Sequence, residues 1–479
     1  MDAGAILSFF SATFLTLFLP GLLAAYAISS MALARWRIRM PVLNSLLFAA
    51  SLGFYAWGEV FQTAVLIVSL LANYCFGRIA ARWLKFGSWL AIAFNLSVLI
   101  WFKYAEFAAN SWLELRGLPV NTSAATTAHL PLGLSFFTFQ AISYVLDVAR
   151  KTVPVERSIL RYGLSVLLFP HLLAGPIVRY ADIAGPLRER RFDPAQFADG
   201  TWRFAIGLAK KLILANTFST VADAAFGMTP DRLSAGAAWL GAVCYALQIY
   251  FDFGGYSCMA IGLAKMFGFD FPENFRHPYI ARSVGDFWRR WHISLGSWFR
   301  DYLYIPLGGN RASPVRTSLN LLVVFGLCGL WHGANWTFLI WGLYHGGWLV
   351  AERLGLESAM KKLWVPLQHA ATLAIVLVGW VLFRATGFAA FLGYLGAMLG
   401  LSGQPEIETI DLASNRLWLL LPIGALACLP IRSWLQSQPF ERWKPIWPWL
   451  RTAAVPLLII AALSQAVAGT HAPFIYFRF

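Results

Sequence analysis

Two Trp-His pairs, Trp291-His292 and Trp331-His332, stand forty residues apart in the strings DFWRRWHISLGSWFRDYLYIPLGGNR and GLCGLWHGANWTFLIWGLYHG. Imidazole titrates near neutrality, so a histidine can take a proton from a hydroxyl and return it to a leaving group. The first pair lies among arginines. The second lies in a run apolar enough for a membrane, where an ionisable side chain is costly and a functional role is the default. A neutral His332 hydrogen-bonded to a carbonyl between packed helices is the structural alternative. His345 is a third candidate, but one continuous helix would place it about 20 Å from His332 and on another face. That favours a structural role for His345 unless Gly333 breaks the helix.

The elements that must position these residues follow from periodicity. At about 100° per residue, Asp286–Tyr302 reads as one amphipathic helix. Trp288, Trp291, Leu295, Trp298 and Tyr302 share a face, with Phe299 at its margin and His292 at its edge. Asp286, Arg289, Arg290, Ser297, Arg300 and Asp301 fill the other face. Such a helix lies in the lipid interface or against a bundle, with its arginines toward water or anionic groups. Pro306 and the Gly308-Gly309-Asn310 run end it in a turn. The apolar segment Leu319–Leu330 then returns the chain toward the bilayer.

With 58% hydrophobic and 13% charged residues among 479, the chain is too apolar for a soluble domain. The composition predicts an all-α polytopic integral membrane protein, a single domain over 1–479 with roughly ten to thirteen membrane segments. The first apolar run, Ile6–Ile28, reads as a retained span. The net charge of +15 sits in short loops, which indicates topology and a lipid bilayer rather than nucleic acid. By that rule Arg35, Arg37, Arg39, the Arg282–Arg311 region and Arg432–Arg451 face the cytoplasm. The Asn110–His129 and Pro405–Asp411 loops face outward. The five cysteines show no ligand spacing, so neither a disulfide framework nor a metal site is expected. LLFPHLLAGPIVRY interrupts an apolar run with Pro170, His171, Gly175 and Pro176, as a re-entrant cavity-lining element or a kinked span would. Buried carboxylates are few, Asp147 and Asp252, and internal repeats are not evident. A transporter with both histidines along a path is therefore the weaker alternative, and a scaffold role is the third.

These strings, with FPHLLAGPIVR and the terminal PFIYFRF, closely resemble the membrane-bound O-acyltransferase (MBOAT) superfamily in its bacterial alginate O-acetyltransferase branch. The resemblance covers about residues 165–348, expected as the catalytic core, plus the tail. It implies an MBOAT-like helical bundle with re-entrant pieces and an interfacial amphipathic helix. The family's catalytic histidine falls on His332 in LWHGA, and its second recurrent polar position on His292 in RWHIS. Relatives that move D-alanine onto teichoic acid share both histidines but typically lack the YIPLGGNR string at Tyr304–Arg311, which favours the acetylating branch. The resemblance further implies acetyl-CoA as donor substrate, no bound cofactor, and an exported polysaccharide reached through periplasmic partner proteins from the bacterial inner membrane. In that scheme His332 is the base, His292 orients or polarises the thioester, and Asn335 assists. Arg289, Arg290 and Arg300 meet the donor phosphates. Arginines that only set topology or bind headgroups are the alternative. Alginate is the first acceptor to consider, cellulose or another exopolysaccharide the second, and peptidoglycan the third.

Overall fold

The computed structural model describes residues 7–118, 129–402, 407–431 and 446–467. The terminal PFIYFRF, the middle of the Asn110–His129 loop, the start of the Pro405–Asp411 loop and most of Arg432–Arg451 lie outside the described residues. Among the described residues seven helices are long and apolar enough to cross a membrane, and three shorter apolar helices accompany them. Among the described residues the β structure is a lone bridge, Leu233 to Ile407. In lipid every backbone polar group must be satisfied within the chain, and helices do so locally. The all-α, multi-pass expectation holds. By contacts the chain divides into two compact units, 1–204 with 259–272 and 205–258 with 273–479.

The first unit contains α1 (Leu19–Ala32), α2 (Arg39–Ala56), α3 (Gln62–Ala80), α4 (Leu84–Leu99), α5 (Ala105–Leu115), α6 (Leu134–Ala149), α7 (Ile159–Leu167), α8 (Phe169–Leu172), α9 (Tyr180–Arg188) and most of α10 (Pro194–Ala209). Polar side chains join these helices where lipid offers no alternative partner. Asn73 and Asn95 exchange amide hydrogen bonds of 3.1 and 2.7 Å between α3 and α4. The LLFPHLLAGPIVRY stretch is a broken element rather than a continuous kinked helix. α7 ends at Leu167, Leu168 turns out of the helix at ψ 115°, and α8 adds a single turn. Its non-helical backbone is buried, as such backbone at membrane depth must be.

The second unit contains α11 (Asn216–Gly227), α12 (Ala235–Met266, through Cys258), α13 (Val284–Arg290), α14 (Ile293–Phe299), α15 (Pro314–His332), α16 (Trp336–Ala351), α17 (Glu357–Met360), α18 (Val365–Arg384), α19 (Phe388–Met398), α20 (Thr409–Leu412), α21 (Asn415–Ala427) and a final helix, Trp447–Val467. The buried carboxylate of Asp252 is paired with Lys211 at 2.8 Å. The hairpin of α15 and α16 positions the second Trp-His pair. Gly333 is extended at φ −164° and ends α15, and the Asn335 side chain accepts the Thr337 N–H to cap α16. The two helices then pack backbone to backbone. A Cβ on Gly329 would collide with the Phe338 carbonyl oxygen, and one on Gly342 with that of Phe325. Lipid tails are as apolar as leucine, so helices in a bilayer are held by this close approach of small residues.

Gly342→Ala should therefore separate α15 from α16, because the clashing atom is backbone and cannot swing away. A cost of about 1–3 kcal/mol or more is expected. Detergent-solubilised variant should lose its monodisperse elution at a lower temperature than wild type, whereas Gly347→Ala, which meets nothing within 4 Å, should not.

Candidate active site

The single helix expected across Asp286–Tyr302 is in fact two helices. α13 ends at Arg290, and His292 takes left-handed backbone angles, φ 44° and ψ 53°, before α14 begins. That conformation costs a non-glycine residue on the order of 1–3 kcal/mol and persists only where the surroundings enforce it. Asn274 enforces it. Its carbonyl accepts the Ile293 N–H at 3.0 Å and its Oδ1 accepts the Ser294 N–H at 3.3 Å, which draws the first amides of α14 away from the α13 ladder. At the other end of α13, Glu352 accepts the Val284 and Gly285 N–H groups at 2.5 and 2.9 Å, a carboxylate at a helix N-terminus. The expected faces survive the break. Trp291, Leu295, Trp298, Phe299 and Tyr302 are buried, and Arg289 and Arg300 are exposed.

Asn274 also determines the protonation of His292. Its Oδ1 accepts the Ser294 hydroxyl at 2.9 Å and meets His292 Nδ1 at 3.0 Å, while its Nδ2 donates to Ser257 Oγ at 3.1 Å. A backbone N–H can only donate, so the Asn274 atom facing Ser294 is the carbonyl oxygen. A carbonyl oxygen can only accept, so the His292 proton is on Nδ1. Burial pushes the imidazole pKa down to about 3, so the ring is neutral and Nε2 carries a lone pair. That Nε2 is buried and has no hydrogen-bond partner among the described residues. Polarising a thioester carbonyl would require a donor at Nε2. The geometry supplies an acceptor instead. Sequence reasoning missed Asn274, whose short PENFRHPY setting has no periodicity and no motif.

His332 closes α15 and is 5% exposed. Its ring lies 5.0 Å from that of Trp331, 5.2 Å from Trp341 and 5.3 Å from Phe383. The Trp331 ring also lies 6.1 Å from that of His292, so one indole touches both histidines. Because Gly333 breaks the helix, His345 is not remote. Its ring packs 5.1 Å from the same Trp341 ring that His332 touches, and 5.0 Å from Trp288. The indole N–H groups of Trp288 and Trp341 and the Nδ1 of His345 are buried without hydrogen-bond partners among the described residues. An apolar surrounding thus contains a few polar atoms without partners among the described residues.

The arginines are divided by the same break. Arg289 and Arg290 share Asp286 Oδ1 at 3.8 and 3.0 Å, whereas Arg300, beyond α14, pairs with Asp301 at 2.7 Å. Arg289 and Arg290 thus stay together on α13, while Arg300 is exposed on the far side of the break. Asn335 is half-buried, and its Oδ1 is occupied by the Thr337 N–H and hydroxyl at 3.0 and 3.2 Å.

Residues 47–392 match the family model for MBOAT, the membrane-bound O-acyltransferase family. A protein of Pseudomonas putida named "probable alginate O-acetylase AlgI" is 38% identical over 98% of this chain and 100% of its own length. One of the same name from Pseudomonas aeruginosa is 43% identical over 79% of this chain and 72% of its own. The peptidoglycan O-acetyltransferase of Helicobacter pylori is 32% identical over 99% of this chain and 98% of its own.

Asn274→Asp would place a carboxylate beside His292 Nδ1 and raise the imidazole pKa toward neutrality. Wild type should show no acidic limb from His292 across about pH 5–8. The variant should lose activity as pH falls through the raised pKa and keep it above. Asn274→Ala leaves two buried N–H donors without an acceptor, at about 1–3 kcal/mol each, and should lower activity at every pH. Paired pH–rate profiles distinguish the three proteins.

Proposed function

We propose, for a chain that belongs to the membrane-bound O-acyltransferase family, that His332 is the general base of acetyl transfer and His292 a fixed proton acceptor beside it. The observation that carries this reading is the placement of both histidines against Trp331, one with its tautomer set by Asn274. An acceptor hydroxyl attacks the thioester carbonyl; the ester C–O bond forms as the C–S bond breaks, and the hydroxyl proton passes through His332 to the leaving thiolate. His292 Nε2 accepts a hydrogen bond from the hydroxyl or the nascent thiol and so orients it. The developing oxyanion needs donors, and the buried indole N–H groups of Trp341 and Trp288 are candidates beside Asn335. Within an apolar wall such donors act more strongly than in water.

The donor is acetyl-CoA, met from the cytoplasm by Arg289, Arg290 and Arg300, whose guanidinium groups suit phosphates. The enzyme resides in the bacterial inner membrane and passes the acetyl group outward, through periplasmic partner proteins, to an exported polysaccharide. Alginate is the favoured acceptor, because relatives named for alginate acetylation align along 98% of this chain and all of their own length. Peptidoglycan is the second, on the full-length match to a peptidoglycan O-acetyltransferase. A proton-path transporter finds no support at Asp252, which is neutralised by Lys211.

His332→Ala should insert normally and lose about 10²–10⁴-fold in kcat, the usual contribution of a general base. The triple variant Arg289→Gln, Arg290→Gln, Arg300→Gln should instead raise KM for acetyl-CoA about tenfold or more with kcat nearly intact. Steady-state kinetics with acetyl-CoA varied at fixed acceptor separates these effects. Wild-type turnover by His332→Ala removes that histidine from the chemistry, and an unchanged KM leaves the arginines as topology determinants.

A further inference from the structure

The first unit contains a polar cluster that acyl transfer does not use. Arg190, just after α9, is 6% exposed. Its Nε donates to the Tyr26 hydroxyl at 2.8 Å, and its Nη1 to Asn44 Oδ1 at 2.7 Å and the Pro186 carbonyl at 3.0 Å. The guanidinium also packs 4.6 Å from the Phe269 ring centroid. All of these partners are neutral, and Nη2 is buried with no hydrogen-bond partner among the described residues. Arg39 is its neighbour. Its Nη2 donates to Ser30 Oγ at 2.8 Å, and its Nε is also buried without a partner among the described residues. Tyr26 and Ser30 are one turn apart on α1, and Arg39 and Asn44 lie in the first turns of α2, so the two guanidinium groups share the junction of these helices. Among the described residues neither arginine has a carboxylate partner.

Burying a cation without a counter-ion is expensive, and placing a second cation beside it compounds the cost. Burial, and to a smaller degree the charge of Arg39, loosens the Arg190 proton. An anion at the junction would resolve both penalties. Two further features indicate its class. α2 starts at Arg39 with no side-chain cap, so its positive dipole end lies at the same junction, although the Arg39 N–H is taken by the Trp36 carbonyl and Pro41 has none. Forked guanidinium donors beside a helix N-terminus match the oxygens of a phosphate. The adjoining turn exposes Met31, Trp36 and Ile38, as a segment at a membrane–water boundary does.

We propose that Arg39 and Arg190 form a phosphate-binding site at the α1–α2 junction, for the headgroup of an anionic phospholipid or for a soluble phosphate ester. The site is independent of the acyl-transfer reading.

Native mass spectrometry of the full-length protein in detergent, titrated with phosphatidylglycerol and with phosphatidylcholine, tests the lipid source. Thermal stability in sodium phosphate against sodium chloride at matched ionic strength tests the soluble one. Selective retention of phosphatidylglycerol, weakened about tenfold or more in Arg39→Gln and Arg190→Gln, supports the site with a lipid occupant. Stabilisation by inorganic phosphate, lost in the same variants, supports it with a soluble occupant. Arg39 is only partly buried, so Arg39→Gln decides the matter even where Arg190→Gln fails to fold. If wild type and Arg39→Gln bind both lipids equally and neither responds to phosphate, the proposal is overturned.

Discussion

A helix cannot run through His292 while Asn274 holds the next two amides. That capture, at 3.0 and 3.3 Å, splits one amphipathic segment into α13 and α14 and forces His292 into the left-handed region. The rest of the site follows from it. The residue that bends the backbone also accepts a hydrogen bond, through its Oδ1, from Nδ1 of the imidazole it bends, at 3.0 Å. One asparagine therefore controls both where His292 sits and which ring nitrogen carries the proton. Glu352 pins the opposite end of α13, so the element bearing Trp288 and Trp291 is held at both termini.

The second histidine is delivered by a different force. α15 and α16 meet at Gly329 and Gly342, where even a methyl group would collide with a facing carbonyl. Van der Waals contact of this kind substitutes for the hydrophobic effect that lipid removes. Gly333 ends α15 one residue after His332, which turns the chain so that His332 and His345 both pack on Trp341. Aromatic rings then fill the space around both Trp-His pairs and leave few polar atoms exposed to one another. A charge placed there would be felt more strongly than in water.

Much of this was legible in the sequence, and the gaps have physical causes. Apolar runs of span length and arginine-rich loops imply a multi-pass helical protein without reference to packing. The Trp-His strings carry the family resemblance and locate His292 and His332. The break at His292 was hidden because Trp288, Trp291, Leu295 and Trp298 satisfy helical periodicity whether or not the helix is continuous. The nearness of His345 depended on Gly333, and a glycine before a capping asparagine can also be tolerated inside a helix. Asn274 and Glu352 act from 18 and 60 residues away from His292, through tertiary hydrogen bonds that leave no local pattern. Arg39 and Arg190, 151 positions apart, read as ordinary loop charges until the fold buries them together.

The proton on His292 is the most direct point of test. Solid-state nitrogen-15 NMR of histidine-labelled protein in bilayers reports, for each of its 8 histidines, which ring nitrogen is protonated. The His292 signals can be assigned by their absence from His292→Gln. A protonated Nδ1 with a bare Nε2, unchanged from neutral pH down to mildly acidic pH, is the expected result. A proton on Nε2, or an imidazolium at neutral pH, would contradict the control of this ring by Asn274 and with it the assignment of His292 as an acceptor.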